Sequence, residues 1–158
     1  MRLATIDLDG AARAAIIRDD GSAVLLDAPG LLDVIAAGDA GRAAAEAAGN
    51  GASRSAIPAD KVRLLAPIPR PRKNVFCVGR NYAEHIAEGE RAQNVKVGVS
   101  EVPVFFTKPP TAVIGPGAAV PLFPALSRQI DYEVELAVVI GSGGRDIPRD
   151  RALGHVFG

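Results

Sequence analysis

The chain has 158 residues, with 18 basic and 18 acidic side chains, a 48% hydrophobic share and 4% aromatics. That hydrophobic share supports a packed core and argues against disorder. Zero formal net charge and so few aromatics offer nucleic acid neither a basic field nor stacking surfaces. No apolar run approaches the ~18 residues of a membrane span. The N-terminus, Met1 to Asp9, carries acids where a signal peptide needs its apolar region. The single cysteine, Cys77, cannot form an internal disulfide, and within Asn74–Val78 it reads as a small buried residue. The expectation is a cytoplasmic protein without nucleic-acid or membrane partners.

Three short strands are expected first, over Leu3–Leu8, Ala12–Ile17 and Ala23–Leu26, with Asp9-Gly10 and Asp20-Gly21 as turns. Leu31 to about Ala48 is Ala-rich and predicts one helix, imperfect at Gly38 and Gly41. Asn50-Gly51-Ala52-Ser53 and Pro58 read as a linker. Nothing in residues 1–60 carries chemistry, so this part reads as a small N-terminal accessory domain. Strands are expected again at Val62–Pro67 and Val75–Val78, then a short helix over Asn81–Glu88 with Asn81 as its cap. Residues 89–101 read as a mobile loop, Val102–Phe106 as a strand and Gly115-Pro116-Gly117 as a tight turn. Many short strands with few helices predict a β-rich fold, a roll or sandwich in place of a βαβ sheet.

The run Asp131-Tyr132-Glu133-Val134-Glu135-Leu136-Ala137-Val138-Val139-Ile140-Gly141 carries the strongest signal. As a strand it places Asp131, Glu133 and Glu135 on one face and the apolar residues Tyr132, Val134, Leu136, Val138 and Ile140 on the other. Alternate residues lie about 6.6 Å apart. Unit charges at that spacing repel by about 2.5 kcal/mol at an effective dielectric of about 20. Such a row needs solvent or a cation, and a hard, oxygen-ligated divalent ion suits it. A solvated polar face satisfies the same pattern.

On the short helix, His85 and Glu88 are three residues apart and therefore neighbours. A carboxylate beside an imidazole orients the ring, as a general base requires, although exposed helices carry such pairs without function. With two histidines and one cysteine, a His- or Cys-rich zinc site cannot be assembled. Val138–Gly143 has the start of a dinucleotide fingerprint, but Asp146 stands where its last glycine belongs and Pro148 breaks the helix start. No Walker loop occurs, so nucleotide binding is rejected.

Taken together, Cys77-Val78-Gly79-Arg80-Asn81-Tyr82-Ala83-Glu84-His85, Pro103–Pro109, Gly115-Pro116-Gly117, Asp131–Gly141 and Ala152–Gly158 resemble, in order, the blocks of the fumarylacetoacetate hydrolase family. The resemblance covers residues 61–158. It implies a β-rich α+β fold in which the accessory domain, 1–60, precedes the first half of a mixed β-sandwich roll, 61–158. It further implies a hydrolase that cleaves a C–C bond in a 2-oxo or 1,3-dicarbonyl acid through a metal-held enolate. A decarboxylase, isomerase or dehydratase of the same family is the alternative, and a non-catalytic binding protein or inactive fragment the second.

By the same resemblance, Glu133 and Glu135 are ligands for Mg²⁺ or Mn²⁺, with Ca²⁺ a further candidate. His85 and Glu88 form the catalytic pair of a lid, and Arg80 and Lys108 meet the anionic groups of a small-molecule substrate. Lys108 reads equally well as a structural lysine. Family members continue for about as much again. The resemblance thus implies an N-terminal fragment, inactive by itself, of a protein that is a homodimer when full length. A third carboxylate ligand and an enolate-steadying lysine are expected beyond Gly158.

Overall fold

The computed structural model describes residues 1–51, 55–96, 98, 99 and 101–158, so Ala52 and Ser53 of the expected linker, and residues 97 and 100 of the expected loop, lie outside it. The fold is α+β with antiparallel sheets, and the chain divides into two compact units: Met1–Ile68 with Ile114–Gly158, and Pro69–Val113.

In the first unit, β1 (Arg2–Leu8) and β2 (Ala11–Ile17) form a seven-pair antiparallel ladder, from Arg2 opposite Ile17 to Leu8 opposite Ala11. Its turn residues Asp9 and Gly10 both have positive φ, 51° and 82°, which suits the right-handed strand twist. β3 (Ala23–Leu25) joins β2 and β4 (Arg63–Leu64) joins β1, giving the order β3-β2-β1-β4. Asp7 faces Arg63 across the last pair and bridges it at 3.0 Å. In the turn before β3, the Ser22 hydroxyl and N–H both donate to Asp20, holding that carboxyl below the usual aspartate range.

Strand alternation divides the core between two faces. Ala14 and Ile16 turn toward Leu31, Val34, Ala45 and Ala48 of helices α1 (Leu31–Ala36) and α2 (Gly38–Asn50). Ala4, Ile6, Ala15 and Ala23 turn the other way, covered by Ile57 and Val62. Small residues set the close approach: a Cβ added at Gly49 of α2 would stand 2.9 Å from Ile16 Cδ1. Between these layers the Thr5 hydroxyl is buried and donates to the Pro67 carbonyl at 2.6 Å.

In the second unit, β5 (Val75–Gly79) pairs antiparallel with β6 (Val104–Lys108), and α3 (Ala83–Gln93) lies between them in sequence.

Several expectations are corrected. The single helix over 31–48 is two, because Gly38 takes φ +57° and redirects the chain. The cap of α3 is Tyr82, without a side-chain bond, in place of Asn81. That helix continues to Gln93, since residues 90–93 favour helix and the stop is Asn94, left-handed at φ 51°. Asp131–Val139 forms no strand. A strand exists only where a neighbour completes its ladder, and among the described residues the one bridge here joins Ile140 to Val156. Tyr132, Val134 and Leu136 are accordingly 87%, 88% and 81% exposed. Cys77, too, is half-buried in place of buried.

Two glycines separate steric from conformational cost. A Cβ at Gly41 would collide with the Val34 carbonyl oxygen, whereas at Gly10 it would meet nothing within 4 Å and suffer only the φ of +82°. Gly41→Ala should therefore cost about 1–3 kcal/mol through overpacking, and Gly10→Ala about 1–2 kcal/mol through backbone strain. Urea midpoints measure both. An unchanged midpoint for Gly41→Ala would contradict the α1–α2 contact.

Candidate functional site

Within the second unit, Arg80 leaves β5 at φ +57°, a left-handed conformation uncommon outside glycine. α3 begins three residues later. Residues 85, 86, 89, 90 and 93 recur at helical spacing and present one face. His85, Ile86, Gly89, Glu90 and Gln93, with Arg80 and Val95, line a cleft of ≈ 100 Å³. The Glu90 carboxylate accepts the Gly98 N–H at 2.7 Å. Arg80 and His85, expected from sequence, are thus brought together at one cleft.

Glu88 lies on α3 but does not line that cleft. Among the described residues no hydrogen bond or ion pair joins it to His85. Both side chains are exposed, and water satisfies them without a pairing that would fix two rotamers. Lys108 ends β6 opposite Val75, also exposed. The sequence reading missed Glu90 and Gln93, because it ended the helix at Glu88. Carrying the 3–4 spacing one turn further would have found them.

Glu133 and Glu135 belong to the first unit, in the exposed segment without a ladder. Their donor chemistry fits a hard divalent cation: two carboxylates two residues apart, neither paired with a basic side chain among the described residues. Two carboxylates supply only part of an octahedral shell, and no cluster of three or more His, Cys, Asp or Glu forms among the described residues.

Known proteins place this arrangement in context. Residues 74–158 match the family described as fumarylacetoacetate (FAA) hydrolase, C-terminal. The chain is 44% identical over 98 residues to oxaloacetate tautomerase YisK of Bacillus subtilis, covering 62% of this chain and 31% of that one. It is 44% identical over 102 residues to a mitochondrial oxaloacetate tautomerase of Bos taurus, covering 65% and 30%. The chain therefore spans about a third of the length of these relatives. Among solved structures, a fumarylacetoacetate hydrolase from Exiguobacterium antarcticum superposes with a TM-score of 0.73 at 35% identity, over all of this chain and 53% of that one. A maleylpyruvate hydrolase from Sphingobium sp., solved with manganese(II) and pyruvate, gives 0.72 at 29% identity, over all of this chain and 56% of that one.

If Glu133 and Glu135 ligate a cation, Glu133→Gln or Glu135→Gln should weaken Mn²⁺ binding about tenfold or more, which is about 1.4 kcal/mol. Titration calorimetry gives the affinity. Unchanged binding in both variants would remove the assignment.

Proposed function

The chain belongs to the fumarylacetoacetate hydrolase family, and from that premise we propose that it provides part of a divalent-metal-dependent enzyme acting on a small 2-oxo dicarboxylic acid, with keto–enol tautomerisation of oxaloacetate as its reaction. The observation that carries the proposal is that all six candidate residues, Arg80, His85, Glu88, Lys108, Glu133 and Glu135, fall inside the stretch matched to the family. The Bacillus subtilis and Bos taurus relatives described above are named oxaloacetate tautomerases, which moves the reaction from the C–C hydrolysis first expected to the isomerase alternative. Residues 1–60 remain, in this proposal, an accessory domain to the catalytic part that begins at 61.

Glu133 and Glu135 would hold Mg²⁺ or Mn²⁺. When bound, the ion supplies Lewis-acid charge to the oxygens of a 2-oxo acid and favours enolate character there. Arg80 offers a planar fork for a substrate carboxylate and Lys108 a point charge. His85, exposed at its cleft, is a base suited to take the proton from the carbon beside the keto group. The same imidazole then returns it to carbon or oxygen, so that one proton moves and no bond between heavy atoms breaks. Glu88, one turn along α3, is the second member of the proposed pair.

C–C hydrolysis is the second reading, favoured by the likeness to the maleylpyruvate hydrolase solved with manganese(II) and pyruvate. There His85 would take its proton from water.

The two readings part on substrate. Loss of enol-oxaloacetate absorbance, followed with Mn²⁺ present, should accelerate with the whole enzyme of which this chain is proposed to be part, and His85→Ala in it should lower that turnover by about 10²–10⁴-fold with Mn²⁺ affinity retained. Cleavage of an acylpyruvate without effect on enol-oxaloacetate would replace tautomerisation by hydrolysis. An undiminished His85→Ala rate would remove His85 from either scheme.

A further inference from the structure

Four residues beyond Glu135, the irregular acidic segment reaches a fixed point. The Val139 N–H donates to the Gly158 carbonyl at 2.7 Å, and the Val139 carbonyl accepts the Phe157 N–H at 2.8 Å. The Gly141 N–H donates to the His155 carbonyl at 2.8 Å, which closes a short antiparallel arm around the Ile140–Val156 bridge. A two-stranded arm of this size has little stability of its own. Something else must hold it.

The holding group is on α2. The Arg42 guanidinium lies over the Phe157 ring, 4.9 Å from its centroid, and donates a hydrogen bond to the Phe157 carbonyl. The Phe157 side chain packs against the apolar cluster of Ala14, Ile16, Leu31 and Val34. One residue is therefore gripped by ring face, carbonyl and apolar packing, while its own N–H holds Val139.

We propose that Arg42 is a positioning residue for the Glu133/Glu135 cation site, acting through Phe157 and Val139 to fix the end of the acidic segment. The role rests on the metal reading above. Residues 1–60 thereby gain a definite function, because the sheet and α2 are the wall against which the carboxylate-bearing segment is braced. Lysine in place of Arg42 would keep the charge over the ring but lose the planar fork that reaches the ring and the carbonyl together.

The test uses the full chain with Mn²⁺ and two readouts, amide hydrogen exchange and metal affinity. Arg42→Ala should speed exchange at Val139 and Phe157 by about tenfold or more, leave the β1 and β2 amides protected, and weaken Mn²⁺ binding about tenfold. Arg42→Lys should recover part of both. Phe157→Leu, which keeps an apolar plug while deleting the ring, should move both readouts in the direction of Arg42→Ala and serves if that variant folds poorly. Mn²⁺ binding by the parent with no change in Arg42→Ala would overturn the positioning role alone. Faster exchange at Val139 without a change in affinity would overturn it too, leaving a purely structural brace. No Mn²⁺ binding by the parent itself would overturn the metal reading and this role together.

Discussion

Seven residue pairs join β1 to β2, and the rest of the first unit is arranged around that ladder. Because strand side chains alternate, one ladder sends Ala14 and Ile16 to the helices while Ala15 faces Ile57 and Val62. The small side chains decide how close the layers come. Ala14, Ala45, Ala48 and Gly49 let α2 settle near the sheet, and that depth brings Arg42 to Phe157.

The elements legible in the sequence are those whose signals are local. Asp9-Gly10 specifies a tight hairpin whatever surrounds it, so the flanking strands could be read to within a residue or two. Arg80 and His85 stand in one short sequence block, and the structure brings both to one cleft. The misreadings have non-local or competing causes. Gly38 breaks the Ala-rich helix by adopting positive φ, an option sequence leaves open. Asn94 ends α3, a full turn beyond the expected end at Glu88. Asp131–Val139 has the composition and alternation of a strand, but a ladder needs a second chain segment, and among the described residues the pairing starts only at Val139 and the Ile140–Val156 bridge. Nor could any spacing rule link Arg42 to Phe157 across 115 positions.

That unladdered segment matters for the chemistry. Carboxylates two residues apart are useful to a divalent ion only if the backbone beneath them is held, since a cation with strict octahedral geometry tolerates little wandering of its ligands. Here the segment is restrained at one end by Val139 and exposed along Tyr132–Leu136. Order at this site is thus conditional. In the proposed reading it depends on the brace at Phe157 and on the cation that draws Glu133 and Glu135 together.

The central claim is that these two carboxylates form the seat of a divalent ion. Paramagnetic broadening of backbone amide signals on titration with substoichiometric Mn²⁺ tests it most directly. Within the first unit, broadening should be strongest at Val134 and at residues on either side of the two glutamates, and excess Mg²⁺ should reverse it. Broadening centred instead on exposed acids such as Asp19, or spread evenly over the surface, would contradict the claim.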